Sequence, residues 1–373
     1  MVRSDSDPVA HAELPWDRIR RVLFIRLRSI GDTVLMTPCL TALKQWKPEL
    51  QISVLSEALS APLLEDHPHV DDVIVLERDE RGLRDGIRRW QLAKRLREQA
   101  FDAAFNLHGG PTATLLTYLS RAPERVGYRG YRYGWLHNRR APDPPRIWQK
   151  AEIHSVEQQL GLLKWCGVPI TTPPPTSLRA NEHALMSVHR RLRQMGLRGP
   201  FVVIHPAATH ETKRWSAYKF AHVVRYLAAK HDLPSIVLAA RHEGHITDAV
   251  KGFAGMAAHP ITDLTLKEVI ALLSRAVLFV GNDSGPAHIA AAVGCPGVVI
   301  FGASDPTVWR PWGTAPSAVV QTTRDHMGVS LPPSERIRHV RVEHVIEAVE
   351  RVLAAISGEV MWRPSLADRE WSP

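Results

Sequence analysis

Apolar and polar positions along this chain follow two periods in alternation. Short β-branched runs occur at RVLFIRL (21–27), QISVLS (51–56), DDVIVLE (71–77), FDAAFNLH (101–108) and ERVGYR (124–129). A second series follows at FVVIHP (201–206), SIVLAA (235–240), AVLFVGN (276–282), GVVIFG (297–302) and SAVVQT (317–322). Amphipathic stretches at helical spacing lie between them. Strands alternating with helices predict an α/β fold of doubly wound parallel sheets, and two such series predict two units with a cleft between them. The break falls at VPITTPPPTSLRA (168–180), where prolines end the preceding helix and stiffen the connection. The expected division is a loosely held tail over 1–19, a first domain over 20–175 and a second over 176–340. A C-terminal helix and tail over 341–373 complete it, with the amphipathic stretch VEHVIEAVERVLAAI expected to pack back toward the first domain.

Composition narrows the class. The chain has 373 residues, 45% of them hydrophobic, enough for two ordinary cores. No apolar run approaches bilayer thickness and the N-terminus is too polar for a secretion signal. The three cysteines are far apart in sequence and fit no metal spacing, which points to a reduced, cytoplasmic protein. The net charge of +9 is concentrated: residues 78–150 carry 16 Lys and Arg against 7 Asp and Glu. A segment so basic attracts polyanions, whether nucleic acid, anionic lipid or acidic saccharide. Within it, GYRGYRYGWLHNRR (127–140) interleaves aromatics with arginines, which a merely solvated helix face does not require.

Candidate chemistry clusters where predicted strands end. Neither half carries the dinucleotide G-x-G-x-x-G fingerprint or a phosphate-binding P-loop. The first strand instead runs into RLRSIGDTVLMTP, with Asp32 at the turn into a helix, the edge of a parallel sheet where ligands bind. An isolated Asp there serves equally well as a helix cap. In the second half, HPAATHETKRWSAYKF (205–220) puts Lys213 in a polar loop after one strand. GNDSGPAH (281–288) follows another, with Asp283 or Ser284 expected at a helix cap, Pro286 at the first helical position and His288 in the first turn. A cation and a helix start at neighbouring strand ends suit an anion such as a diphosphate. Glu243, in RHEGHITDA (241–249), is placed to accept hydrogen bonds from a ribose, while H-E-G-H lacks the i, i+4 zincin spacing. The one D-x-D, Asp5 to Asp7, lies in the N-terminal tail. A mechanism without a metal is therefore expected.

RVLFIRLRSIGDTVLMTPCLTALK, HPAATHETKRWS and GNDSGPAHIAAAVGCPGVVIFGASDP, in that order, resemble glycosyltransferase family nine, the lipopolysaccharide heptosyltransferases. The resemblance spans about residues 20 to 350 and implies a GT-B fold, with the acceptor on the first domain and the nucleotide sugar on the second. It makes Asp32 the catalytic base, sets Lys213, Asp283, Ser284, Gly285 and His288 around the donor phosphates and sugar, and gives Glu243 the ribose. It further implies ADP-heptose as co-substrate with no bound cofactor, a Kdo-lipid A type acceptor, and peripheral association with the cytoplasmic face of the inner membrane. Arg26, Arg28, Arg125 and Arg129 are expected, from charge alone, to meet that anionic acceptor. One departure stands out: many relatives carry cysteines between the last strand and the final helix, whereas TTRDHMGVSLPPSERIRHV (322–340) has none.

Other readings remain open at this level. A different nucleotide sugar and acceptor would leave these motifs unchanged. A basic nucleic-acid-binding protein is motivated by residues 127–140, although no recognition-module signature is present. A catalytically silent nucleotide sensor would require the loss of a residue such as Asp32, Lys213 or His288, and all three are in place.

Overall fold

The computed structural model describes residues 12–77 and 83–359. The D-x-D at Asp5 to Asp7, the start of the basic segment at 78–82 and the final MWRPSLADREWSP lie outside the described residues. The chain divides into two compact units, Met1–Thr176 and Ser177–Pro373.

The first unit holds β1 (Arg21–Ile25), β2 (Gln51–Glu57), β3 (Asp72–Leu76), β4 (Ala103–Asn106), β5 (Glu124–Tyr128) and β6 (Arg139–Ala141). The second holds β7 (Val202–His205), β8 (Ser235–Leu238), β9 (Ala258–Ile261), β10 (Leu278–Asn282), β11 (Gly297–Phe301) and β12 (Ser317–Gln321). The sheets run β3-β2-β1-β4-β5-β6 and β12-β11-β10-β7-β8-β9, with every pairing parallel. Each is a Rossmann order whose direction of winding reverses once, between β1 and β4 and between β7 and β10. Ligands of such sheets sit at the carboxyl ends of the strands flanking that reversal. Register sets Asn106 beside Ile25 in the first sheet and His205 beside Gly281 in the second.

The ten predicted runs all contain strands. β4, β7, β8, β10 and β11 are buried along their whole length, as strands covered by helices on both faces must be. β6 and β9 went unpredicted for physical reasons. β6 is RRA, three residues with no apolar run, and β9 contains Pro260, which an edge strand tolerates.

One expectation about the ends is corrected. Residues 12–19 are not a loose tail: Leu14, Trp16 and Ile19 are buried, and the Trp16 indole N–H donates to the Cys166 carbonyl at 2.7 Å. The C-terminal helix, Val342–Glu359, packs within the second unit. Its Val345, Ala348, Val349 and Val352 complete a core with Trp215, Phe220, Val224 and Ile300. The Trp215 indole N–H donates to the Val340 carbonyl at 2.9 Å, so the helix's apolar stripe is consumed locally.

Candidate active site

In the first unit, β1 ends on Ile25 and the chain passes through Arg26 into a short helix, Ile30–Leu35, capped at Ser29. Asp32 sits in that helix's first turn and both of its oxygens are engaged. Oδ1 pairs with the Arg26 guanidinium, and Oδ2 accepts from the Ser29 hydroxyl at 3.1 Å and the Ser29 N–H at 3.3 Å. Arg26 is itself buried and donates through Nη1 to the Leu107 carbonyl at 2.5 Å, tying the end of β1 to the loop after β4. Asp32 thus caps the helix and forms an ion pair at the reversal point, keeping about a fifth of its side chain exposed.

The loop after β4 is shaped by Asn106, fully buried, whose Oδ1 accepts from the N–H groups of His108 and Gly109 and whose Nδ2 donates to Thr114 Oγ1 at 3.1 Å. A Cβ on Gly109, whose φ is +76°, would lie 2.5 Å from the Tyr131 ring, so only glycine lets that ring close over the loop. His137 packs where Gly127 has no side chain, and burial pushes its imidazole down to about 4.

The arginines expected to meet the acceptor have different fates. Arg26 is bound to Asp32 and Leu107, which leaves it holding the carboxylate instead. Arg28 is over half exposed, with Nε 3.5 Å from Glu57. Arg125 donates to the Ala122 carbonyl at 2.7 Å and lies over the Tyr118 ring, and Arg129 is exposed.

In the second unit, Lys213 ends a short turn, Glu211–Lys213, after β7, and its Nζ lies 2.7 Å from Asp283 Oδ2 after β10. Asp283 is almost wholly buried while Lys213 keeps about a third of its side chain exposed. Asp283 was expected to face the donor; its carboxylate instead holds the lysine. Helix Gly285–Ala292 begins with Ser284 at its cap position and Pro286 second, not first as expected. The Ser284 hydroxyl does not cap. It bonds His205 Nδ1 at 3.1 Å and the Asn282 carbonyl at 3.1 Å. His288 is buried in the same helix's first turn. Glu243, half-buried after β8, receives the Ala240 N–H at 3.4 Å.

Sequence reasoning passed over Asn282 and His205. The Asn282 carboxamide accepts from the Trp215 N–H at 3.0 Å and donates to the Pro206 carbonyl at 2.8 Å, locking the loop after β7 to the end of β10. The signal was present: an amide that ends an apolar strand and is fully buried must satisfy its donors on a neighbouring backbone. Asn106, at the equivalent position of the first sheet, instead orders its own loop and donates to the Thr114 side chain. Among the described residues no group of three or more His, Cys, Asp or Glu is arranged to hold a metal ion.

Two parallel sheets of Rossmann order, with an ion-paired carboxylate at the reversal point of one and a lysine beside a helix start at that of the other, are the GT-B architecture of nucleotide-sugar glycosyltransferases. The match to glycosyltransferase family 9 (heptosyltransferase) covers residues 89–329, and the chain belongs to that family. It is 31% identical over 307 residues to lipopolysaccharide heptosyltransferase 3 of Escherichia coli K12, covering 77% of this chain and 83% of that one. Against lipopolysaccharide heptosyltransferase 2 of Salmonella typhimurium the identity is 27% over 313 residues, covering 78% and 85%. Among solved structures, a family 9 glycosyltransferase of Veillonella parvula superposes with a TM-score of 0.79 at 21% identity, covering 93% of this chain and 99% of that one. An E. coli heptosyltransferase solved with ADP gives 0.69 at 20% identity, covering 89% and 99%. The enzyme is a glycosyltransferase.

Proposed function

We infer that this enzyme is a metal-independent, inverting heptosyltransferase that moves heptose from ADP-heptose to a hydroxyl of the lipopolysaccharide inner core. It works as a peripheral protein at the cytoplasmic face of the inner membrane, with the acceptor on residues 20–175 and the donor on residues 176–340. The observation that carries the reading is the Lys213–Asp283 pair, 2.7 Å apart at the reversal point of the second sheet, in a chain whose family is named for heptose transfer.

A sugar hydroxyl attacks poorly unless its proton is taken as the bond forms. Asp32 accepts that proton, Arg26 and Ser29 hold its carboxylate in place, and the freed oxygen attacks the anomeric carbon from the face opposite the diphosphate. Negative charge then builds on the departing ADP. Lys213 has three N–H donors, of which Asp283 takes one, and the others meet phosphate oxygens. Gly285 opens the start of the helix to the same charge, with His288 one turn in, and Ser284 ties that start to His205 at the end of β7. Glu243 accepts from the ribose hydroxyls.

The test is Asp32→Asn, which keeps the shape but cannot take a proton, and whose single amide oxygen accepts from either Arg26 or Ser29 rather than both. Turnover falls by about 100-fold to 10,000-fold while ADP-heptose affinity holds; near-normal turnover removes Asp32 from the role of base. A panel of nucleotide sugars assayed by thermal shift identifies the donor, with ADP-heptose expected to protect most.

A further inference from the structure

The loops after β4 and β5 carry an exposed surface that transfer chemistry does not use. Trp135 is 71% exposed, Leu115 47%, and Tyr118 and Tyr133 46% each. Leu115 and Tyr118 lie three residues apart on helix Pro111–Leu119 and so share a face. Tyr118, Arg125, Trp135 and Asn138 line one open groove, which joins that helix to the loop after β5. Arg125 lies 5.8 Å from the Tyr118 ring centre and Arg132 lies 5.4 Å from that of Tyr133. Arg97, at the end of the preceding helix, donates to the Leu119 carbonyl and brings a further cation to its edge. Glu124 is neutralised by Arg139 at 2.6 Å, so the surface stays strongly positive.

We propose that this patch docks the enzyme on an anionic lipid bilayer. It takes the membrane-borne acceptor from the reading above and assigns the surface that meets the membrane. Two features select the occupant. Charge complementarity calls for a polyanion, and indole, phenol and aliphatic side chains exposed among arginines are the composition that settles at the headgroup boundary. A nucleic acid would be gripped by stacking on open aromatic faces; here arginine already lies over the Tyr118 and Tyr133 rings, and Leu115 offers no face for a base. An aromatic anchor or a basic patch alone binds membranes weakly, and the two together hold a protein there. Tyr118 lies at the end of its helix, Arg125 at the start of β5 and Asn138 just before β6, so the groove lies toward the amino ends of these strands. The loop that carries Trp135 leads from there to Tyr131, which closes over the Gly109 loop.

Co-sedimentation of the full chain with phosphatidylglycerol-rich and with pure phosphatidylcholine vesicles tests the proposal. The enzyme sediments with the former, and raising salt to about 0.5 M releases most of it. Arg132→Glu weakens binding at least about fivefold, and Trp135→Ser and Tyr133→Asn each weaken it further at constant charge. Asn is chosen at position 133 because the backbone there is left-handed, with φ 60°. All three variants keep wild-type transfer onto a water-soluble, acyl-free core acceptor. Wild-type transfer without vesicle binding overturns the docking surface and leaves the proposed function standing. Vesicle binding without heptose transfer does the reverse. Binding to RNA or duplex DNA in preference to vesicles overturns the proposal, as does loss of transfer in Trp135→Ser with vesicle binding intact, which would make the groove a saccharide site.

Discussion

Lys213 serves two roles that a single substitution confounds. Its ammonium is the partner of an almost wholly buried carboxylate, and in the proposed function it is also the cation offered to the donor diphosphate. Removing one member of a buried ion pair leaves the other charge uncompensated, which is expensive, whereas removing both together costs much less. Lys213→Ala is therefore expected to lower the thermal midpoint and to weaken ADP binding by about 10-fold to 100-fold, the range for a hydrogen bond to a charged group. Adding Asp283→Asn to it should restore most of the midpoint and none of the ADP affinity. Thermal unfolding beside calorimetric titration with ADP reads both. Recovery of affinity in the double variant would mean that Lys213 acts on the donor only by offsetting Asp283.

At the scale of elements, the site depends on how closely the loops at one sheet edge approach each other. Gly302, just past β11, lies against the turn that carries Lys213: a Cβ there would come within 2.1 Å of the Thr212 carbonyl oxygen and 3.0 Å of Ile337 Cβ. Backbone cannot yield as a flexible side chain does, so Gly302→Ala must push the Glu211–Lys213 turn outward. The expected cost is about 1–3 kcal/mol of stability, typical of overpacking, with a marked rise in the ADP dissociation constant. Gly199→Ala, where a Cβ meets nothing within 4 Å, is the control and should change neither. Such constraints mark the limit of what the chain reveals beforehand. Strands are legible because a buried parallel strand is a continuous apolar run, and the ends of those runs located Asp32, Lys213 and the Gly285 helix. The sequence could not reveal which polar groups would spend their hydrogen bonds on one another. Arg26 meets Asp32 only because the turn after β1 folds back on itself, Asp283 meets Lys213 because the sheet order sets the ends of β7 and β10 side by side, and Ser284 abandons its cap because His205 lies beside it on the neighbouring strand.

For the whole molecule, the consequence is a dependence of stability on pH rooted in both units. His137 in the first and His205 in the second are each held near 4 by burial, against 6.5 for an open imidazole. For His137, the bond to the Gly134 carbonyl opposes the shift and Arg125 adds to it, but burial dominates. Because the folded pKa is depressed, the neutral ring is the form that the fold accepts. Stability from this source is complete above pH 6.5 and declines as pH falls toward 4, where the unfolded chain binds protons that the folded chain refuses. Each histidine contributes a slope of up to about 1.4 kcal/mol per pH unit inside that window. Carboxylates act lower. Burial pushes Glu350 upward, but hydrogen bonds from His231, Lys230 and Tyr226 outweigh it and bring the group to about 2, so its contribution begins to fade only below about 4.5. The thermal midpoint should thus be flat from pH 8 to about 7 and fall steadily from about 6.5 to 4.5, before carboxylates enter. Scanning the midpoint against pH for wild type, His137→Gln and His205→Gln separates the contributions. Each substitution lowers the midpoint at neutral pH by disturbing a packed site, yet flattens the acid limb. An acid limb as steep in both variants as in wild type would place the titrating groups elsewhere and show that these rings are protonated within the fold.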